Sequence, residues 1–172
     1  KDTVYYSISK MIPGLAGVVF VILFFRLIGA EEYGKYSIIF SFANLIAAFS
    51  FGWLNQSILR YRSTFTSRIK ILSPISLGYI IGFISIIIFV NIISVLQFSI
   101  TFSKQHVIFL SLSIGIFNII KSTFQSEEQP NKVILITSFQ SILMIISSII
   151  ILKTYDNSAE GLILGISLGY LI

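Results

Sequence analysis

Apolar runs too long for a soluble core alternate with short polar connections along the whole chain. Lys35 and Arg60 are separated by 24 uncharged residues, Lys70 and Lys104 by 33, and Lys132 and Lys153 by 20. About 20 apolar residues in a helix rising ~1.5 Å each cross a ~30 Å hydrocarbon core, so each gap predicts a membrane span. The pattern predicts six helices, near 3–28, 35–61, 74–96, 105–125, 131–154 and 158–172. The expected fold class is all-α, a polytopic transmembrane bundle in which residues 1–172 form one unit. The final run, Gly161 to Ile172, is too short to cross and no methionine opens the chain, so a fragment cut inside its sixth helix is expected.

Helix punctuation supports these boundaries. Pro13-Gly14 lies inside the first run, where a missing N–H and a flexible residue predict a kink. Gly29 supplies a stop, and Ala30 to Gly34 reads as a short connection with Glu31 and Glu32 at the dipole-favoured start of the second helix. Ser73-Pro74 has the form of an N-cap with proline at the first helical position. Asn157 and Glu160 have capping-box spacing at the start of the sixth helix.

Composition narrows the class. Hydrophobic residues make up 55% of the chain and charged residues 11%, against about 25% charged in an ordinary soluble domain. A cleaved secretory signal would be followed by a polar mature chain, whereas apolar runs here continue to the last residue. With no cysteine and one histidine, neither a disulfide nor a metal site is expected. The net charge of +5 is placed between apolar runs, so topology accounts for it and nucleic acid is not an expected partner. Lys1, Lys10, Arg60, Arg62, Arg68, Lys70, Lys121 and Lys132 fall on one side of the membrane, and Arg26, Lys35, Lys104 and Lys153 on the other. That excess predicts a cytoplasmic N-terminus.

Polar residues inside the spans form stripes. Ser37, Ser41, Asn44, Ala48 and Asn55 share one face of the second helix at ~100° per residue; Ser111, Gly115, Asn118 and Ser122 repeat the spacing in the fourth, and Thr137, Ser141, Met144 and Ser148 in the fifth. Two roles fit such stripes: hydrogen bonding between packed helices, or the lining of a water-accessible cavity. Gly78 and Gly82, and Gly161, Gly165 and Gly169, have the spacing that lets helices approach closely. Arg26 can snorkel to headgroups or face the bundle interior, where a guanidinium grips phosphate through two parallel hydrogen bonds. Arg60 and Arg62 carry the same two readings beside a topogenic one.

No Asp or Glu occupies a central span, so no carboxylate relay for a coupling ion is visible. His106 reads as a solvated residue in an outer connection. No nucleophile–base pair, metal-ligand spacing or phosphate-cradling glycine loop occurs. Neither an enzyme nor a cofactor-binding protein is expected.

Arg26-Leu27-Ile28-Gly29-Ala30-Glu31-Glu32-Tyr33-Gly34-Lys35-Tyr36-Ser37 resembles the first-helix exit of the polysaccharide-biosynthesis flippases, the O-antigen and capsule repeat-unit exporters. Asn55 to Tyr61 is similar to the end of that family's second helix, and Glu127 to Lys132 and Ala159 to Gly165 to later connections. The resemblance implies the multidrug, oligosaccharidyl-lipid and polysaccharide exporter superfamily, built from two six-helix lobes around a cavity that opens alternately to either side. This chain would be the first lobe, in a bacterial inner membrane, partnered by a C-terminal lobe. The substrate so implied is an oligosaccharide on a polyprenyl diphosphate, moved from the cytoplasmic to the outer leaflet. On that reading Arg26 and Arg60 attract the diphosphate, and Asn44 and Asn55 face the sugars. The multidrug branch usually has an acidic residue in its first helix, and none lies between Pro13 and Arg26. The alternatives are another lipid or drug exporter of the superfamily, a non-transporting membrane scaffold or assembly protein, and a polymerising membrane enzyme, which would need a catalytic group that this segment lacks.

Overall fold

A computed structural model describes residues 2–61, 68–95 and 103–171, without the side chains of 2–10, 12, 13 and 68–73. Five helices follow one another: α1 (Asp2–Tyr61), α2 (Arg68–Val95), α3 (Lys104–Ser126), α4 (Pro130–Thr154) and α5 (Ala159–Tyr170). There is no strand among the described residues. The first four are long and apolar enough to cross a membrane.

Helix α1 is two arms. Its backbone leaves helical geometry at Gly29, with φ 84° and ψ 168°, a region that is essentially reserved for glycine. In a straight helix Phe20 and Tyr36 would stand ~24 Å apart along the axis, yet their ring centroids are 5.9 Å apart, and those of Phe25 and Tyr33 are 5.8 Å apart. The chain therefore reverses at Gly29, and the two arms pack antiparallel through Phe20, Phe24, Tyr33, Tyr36 and Phe40. With the arms counted separately there are six helical runs, close to the expected number.

Four sequence expectations need correction. Ala30 to Gly34 is not a loop: the second arm is helical from residue 30, because one glycine with positive φ reverses the chain without a linker. Pro74 is not at a helix start, since α2 begins at Arg68 and carries Pro74 inside it, where proline forgoes the bond to the carbonyl four residues back. The cap of α5 is Ser158 and not Asn157; its Oγ accepts from the Gly161 N–H at 3.4 Å and donates to the Asp156 carboxylate. No departure from helical dihedrals accompanies Pro13-Gly14; the break in α1 is at Gly29 alone. Lys1, Arg62 and Leu96, and the side chains of Lys10, Arg68 and Lys70, lie outside the described residues.

The bundle is apolar outside as well as inside, where Phe24, Phe51, Leu110 and Leu162 stand in its buried core. Ser50, Ser111, Ser113, Ser122, Thr137, Ser141, Ser148 and Ser167 are buried, while Val18, Ile22, Ile80, Ile84, Leu135, Phe139, Ile142 and Ile146 are exposed. Water would penalise that surface and hydrocarbon does not. The chain is a multi-pass membrane protein.

Small residues set the spacing between helices. The fully buried Phe51 ring of α1 is clamped by Gly82 of α2 and Gly115 of α3, and a Cβ on either glycine would overlap the ring. Gly78 meets Leu54, whose Cδ1 would lie 2.7 Å from an added Cβ. Gly165 and Gly169 of α5 lie directly on the backbone of Ser148 and Met144 in α4. The Ser147 hydroxyl bridges the same pair of helices by donating to the Gly165 carbonyl at 2.6 Å.

Candidate functional site

The three polar stripes have different fates. On α3 the Ser111 hydroxyl donates to the Ala43 carbonyl of α1 at 3.2 Å, Gly115 seats Phe51, and Ser122 is buried. On α4, Thr137 and Ser141 donate to carbonyls four residues back at 2.7 and 2.8 Å, while Met144 and Ser148 meet the glycines of α5. Ser111, Gly115 and Ser122, and Thr137, Ser141 and Ser148, are buried in the bundle, while Asn118 on the α3 stripe is half-buried.

The stripe on the second arm of α1 differs. Ser41 and Ala48 are exposed, and Ser37, Asn44 and Asn55 are half-buried. Ser37, Ile38, Ser41, Phe42 and Leu45 line an open groove of about 420 Å³. Ser37 and Ser41 donate to the Tyr33 and Ser37 carbonyls at 2.9 and 2.8 Å, and Asn44 Nδ2 to the Phe40 carbonyl at 2.8 Å. Each hydroxyl has directed its one proton into its own helix, which leaves the lone pairs of Ser37 and Ser41 in a lining that is otherwise apolar, made by Ile38, Phe42 and Leu45. Asn55 Oδ1 is buried and accepts no hydrogen bond among the described residues.

Arg26 and Arg60 are both exposed, and the Arg60 guanidinium lies 5.5 Å from the Tyr61 ring centroid. They do not come together. Arg26 is three residues before the Gly29 reversal and Arg60 is 31 beyond it, which places them roughly 40 Å apart along the bundle axis at ~1.5 Å per residue. Asn44 and Asn55 lie between those ends on the second arm.

A charged cluster that sequence reasoning missed sits at the Gly29 end. Glu32 accepts the Ala159 N–H of α5 through Oε2 at 2.9 Å, and its Oε1 holds Lys35 at 2.7 Å. Lys35 also reaches Glu31 at 2.9 Å. His106 is half-buried in the first turn of α3, not solvated, with Nδ1 3.4 Å from Glu160 Oε2. The sequence places Glu32 at the dipole of its own helix; the helix it caps lies 127 residues further along, and no local signal encodes that pairing. Among the described residues no group of three His, Asp or Glu side chains could hold a metal ion.

No protein-family model, curated protein or solved structure matches this chain.

Proposed function

We propose that this chain is the first lobe of an exporter that carries polyprenyl-diphosphate-linked oligosaccharide from the cytoplasmic to the outer leaflet of a bacterial cell membrane. The observation that supports the reading is the groove on α1. Its stripe carries the exposed Ser41 beside an open groove, and it is where a second lobe would enclose a shared cavity. The Ser37 and Ser41 oxygens would accept from sugar hydroxyls, Ile38, Phe42 and Leu45 would meet the apolar sugar faces or the lipid, and alternating access would follow from rocking of the two lobes around the groove.

The distance between the arginines gives the reading a sequence in time. A diphosphate is far shorter than 40 Å, so Arg60 and Arg26 engage it one after the other. With the N-terminus cytoplasmic, Arg60 stands at the loading end and Arg26 at the release end. A diphosphate cannot cross hydrocarbon bare, and cationic ends beside a hydrated groove lower that penalty. The lipid tail stays among the bilayer chains.

A non-transporting scaffold would share the packing of α3 and α4 but has no use for exposed hydroxyls beside an open groove. The intact protein in liposomes distinguishes the two. Polyprenyl-diphosphate oligosaccharide placed in one leaflet is expected to become accessible, in the opposite leaflet, to an added glycan-cleaving enzyme. Accessibility no greater than in protein-free liposomes would reject the export reading.

A further inference from the structure

The two ends of the bundle differ in charge. The Glu32 bond to Ala159 and the His106 contact with Glu160 put the starts of the second arm, α3 and α5 at the Gly29 end. Gly78 on Leu54 and Gly82 on Phe51 set α2 antiparallel to that arm, and Gly165 on Ser148 and Gly169 on Met144 set α4 antiparallel to α5. The opposite end therefore gathers the ends of α1 and α3 and the first turns of α2 and α4. At the Gly29 end Arg26, Lys35, Lys104 and Lys153 are matched in number by Glu31, Glu32, Asp156 and Glu160, and Lys35 is held by two of these carboxylates. At the opposite end Arg60, Arg68, Lys70, Lys121 and Lys132 outnumber Asp2, Glu127 and Glu128.

Lys132 has a fixed place there. Its ammonium lies 5.4 Å from the Phe124 ring centroid, a contact that ties the start of α4 to the end of α3. Lys132 is exposed, and at helical spacing below it the exposed Leu135, Phe139, Ile142 and Ile146 run down one face of α4. An aromatic ring and a lysine at the head of an apolar stripe match the boundary between headgroups and hydrocarbon. We propose that this face of α4 is a docking track for an anionic phospholipid, with its phosphate on Lys132 and an acyl chain along Leu135 to Ile146. Arg68 and Lys70, at the start of α2, add to the positive field that favours an anionic headgroup over a zwitterionic one. A free phosphate would leave the apolar stripe unused. Lys153, exposed at the far end of α4, is the internal comparison: it has no ring beneath it among the described residues, and Asp156 and Glu160 follow it in the chain. The inference does not draw on the export reading.

Fluorophores on Asn131→Cys and Asn157→Cys, both exposed and one at each end, read the preference in an otherwise cysteine-free full-length protein. The vesicles are phosphatidylcholine doped with phosphatidylglycerol or phosphatidylcholine spin-labelled high on one acyl chain. At Asn131 the phosphatidylglycerol label should associate on the order of fivefold more strongly, the contribution of one cation at the headgroup level, and at Asn157 the two should quench nearly alike. Lys132→Gln should bring the Asn131 ratio close to one, and Lys132→Arg should keep it. Equal quenching by the two lipids at Asn131, the same preference at both ends, or a preference that survives Lys132→Gln overturns the proposal. So does its loss on adding inorganic phosphate when chloride of equal ionic strength leaves it intact, since that would mark a plain phosphate site.

Discussion

Gly165→Leu is expected to abolish the folded bundle, with the full-length protein lost to aggregation on extraction into mild detergent. A side chain at Gly165 has nowhere to go, because even a Cβ would fall onto the backbone of Ser148. Backbone cannot rotate away as a side chain does. The helices must part, which takes the Ser147 to Gly165 hydrogen bond with it. Gly165→Ala should show a partial effect, in the range of about 1–3 kcal/mol typical of overpacking, read as a lowered melting temperature. Gly52→Ala is the control: nothing lies within 4 Å of its added Cβ, so its melting temperature should be unchanged or slightly raised, since alanine is the better helix former. Equal losses for Gly165→Ala and Gly52→Ala would refute the close-packing account of α4 and α5.

On the export reading, Arg60→Ala and Arg26→Ala are expected to collapse export while the protein still reaches the membrane, because both side chains are exposed and the Arg60 contact with the Tyr61 ring is local. Hydrogen bonds to a charged group contribute about 1.5–3 kcal/mol, so losing a guanidinium grip at either end should lower flux on the order of 10- to 100-fold. The two positions act in succession, so the losses should differ in kind. Arg60→Ala should leave lipid-linked glycan unloaded on the cytoplasmic side, and Arg26→Ala should let it bind but not leave. Lysine at either position restores positive charge without the fork geometry and is expected to recover flux only in part. Normal surface polymer in the double alanine variant would remove both arginines from the substrate path.

The fold was legible because its strongest signals are local. Charge-free stretches, Gly29 and the glycine pairs each act within one or two helical turns, and each is used. Errors came where a local signal admits two geometries. Gly29 was read as a stop before a loop, and its positive φ instead reverses the chain within one residue. Ser73-Pro74 has the form of a helix start, but α2 is already helical at Arg68.

The site was less legible, because polar spacing fixes a face and not what that face meets. The stripes on α1, α3 and α4 have nearly the same spacing, yet Ser111 and Ser148 are buried against neighbours and Ser41 is not. Glu32 and Ala159, or His106 and Glu160, are joined only by the packing of helices remote in sequence. No periodicity records such a contact.

Cysteine accessibility at Ser41 tests the central claim most directly, and the 172 residues contain no cysteine to interfere. In intact membranes of the full-length protein, Ser41→Cys should react with a membrane-impermeant, water-soluble thiol reagent, because the export reading puts the groove on α1 in a hydrated cavity. Ser141→Cys, buried against neighbouring helices, and Ile142→Cys, on the apolar exterior of α4, should not react. A Ser41→Cys variant as inert as Ile142→Cys would place the groove in lipid and contradict the account.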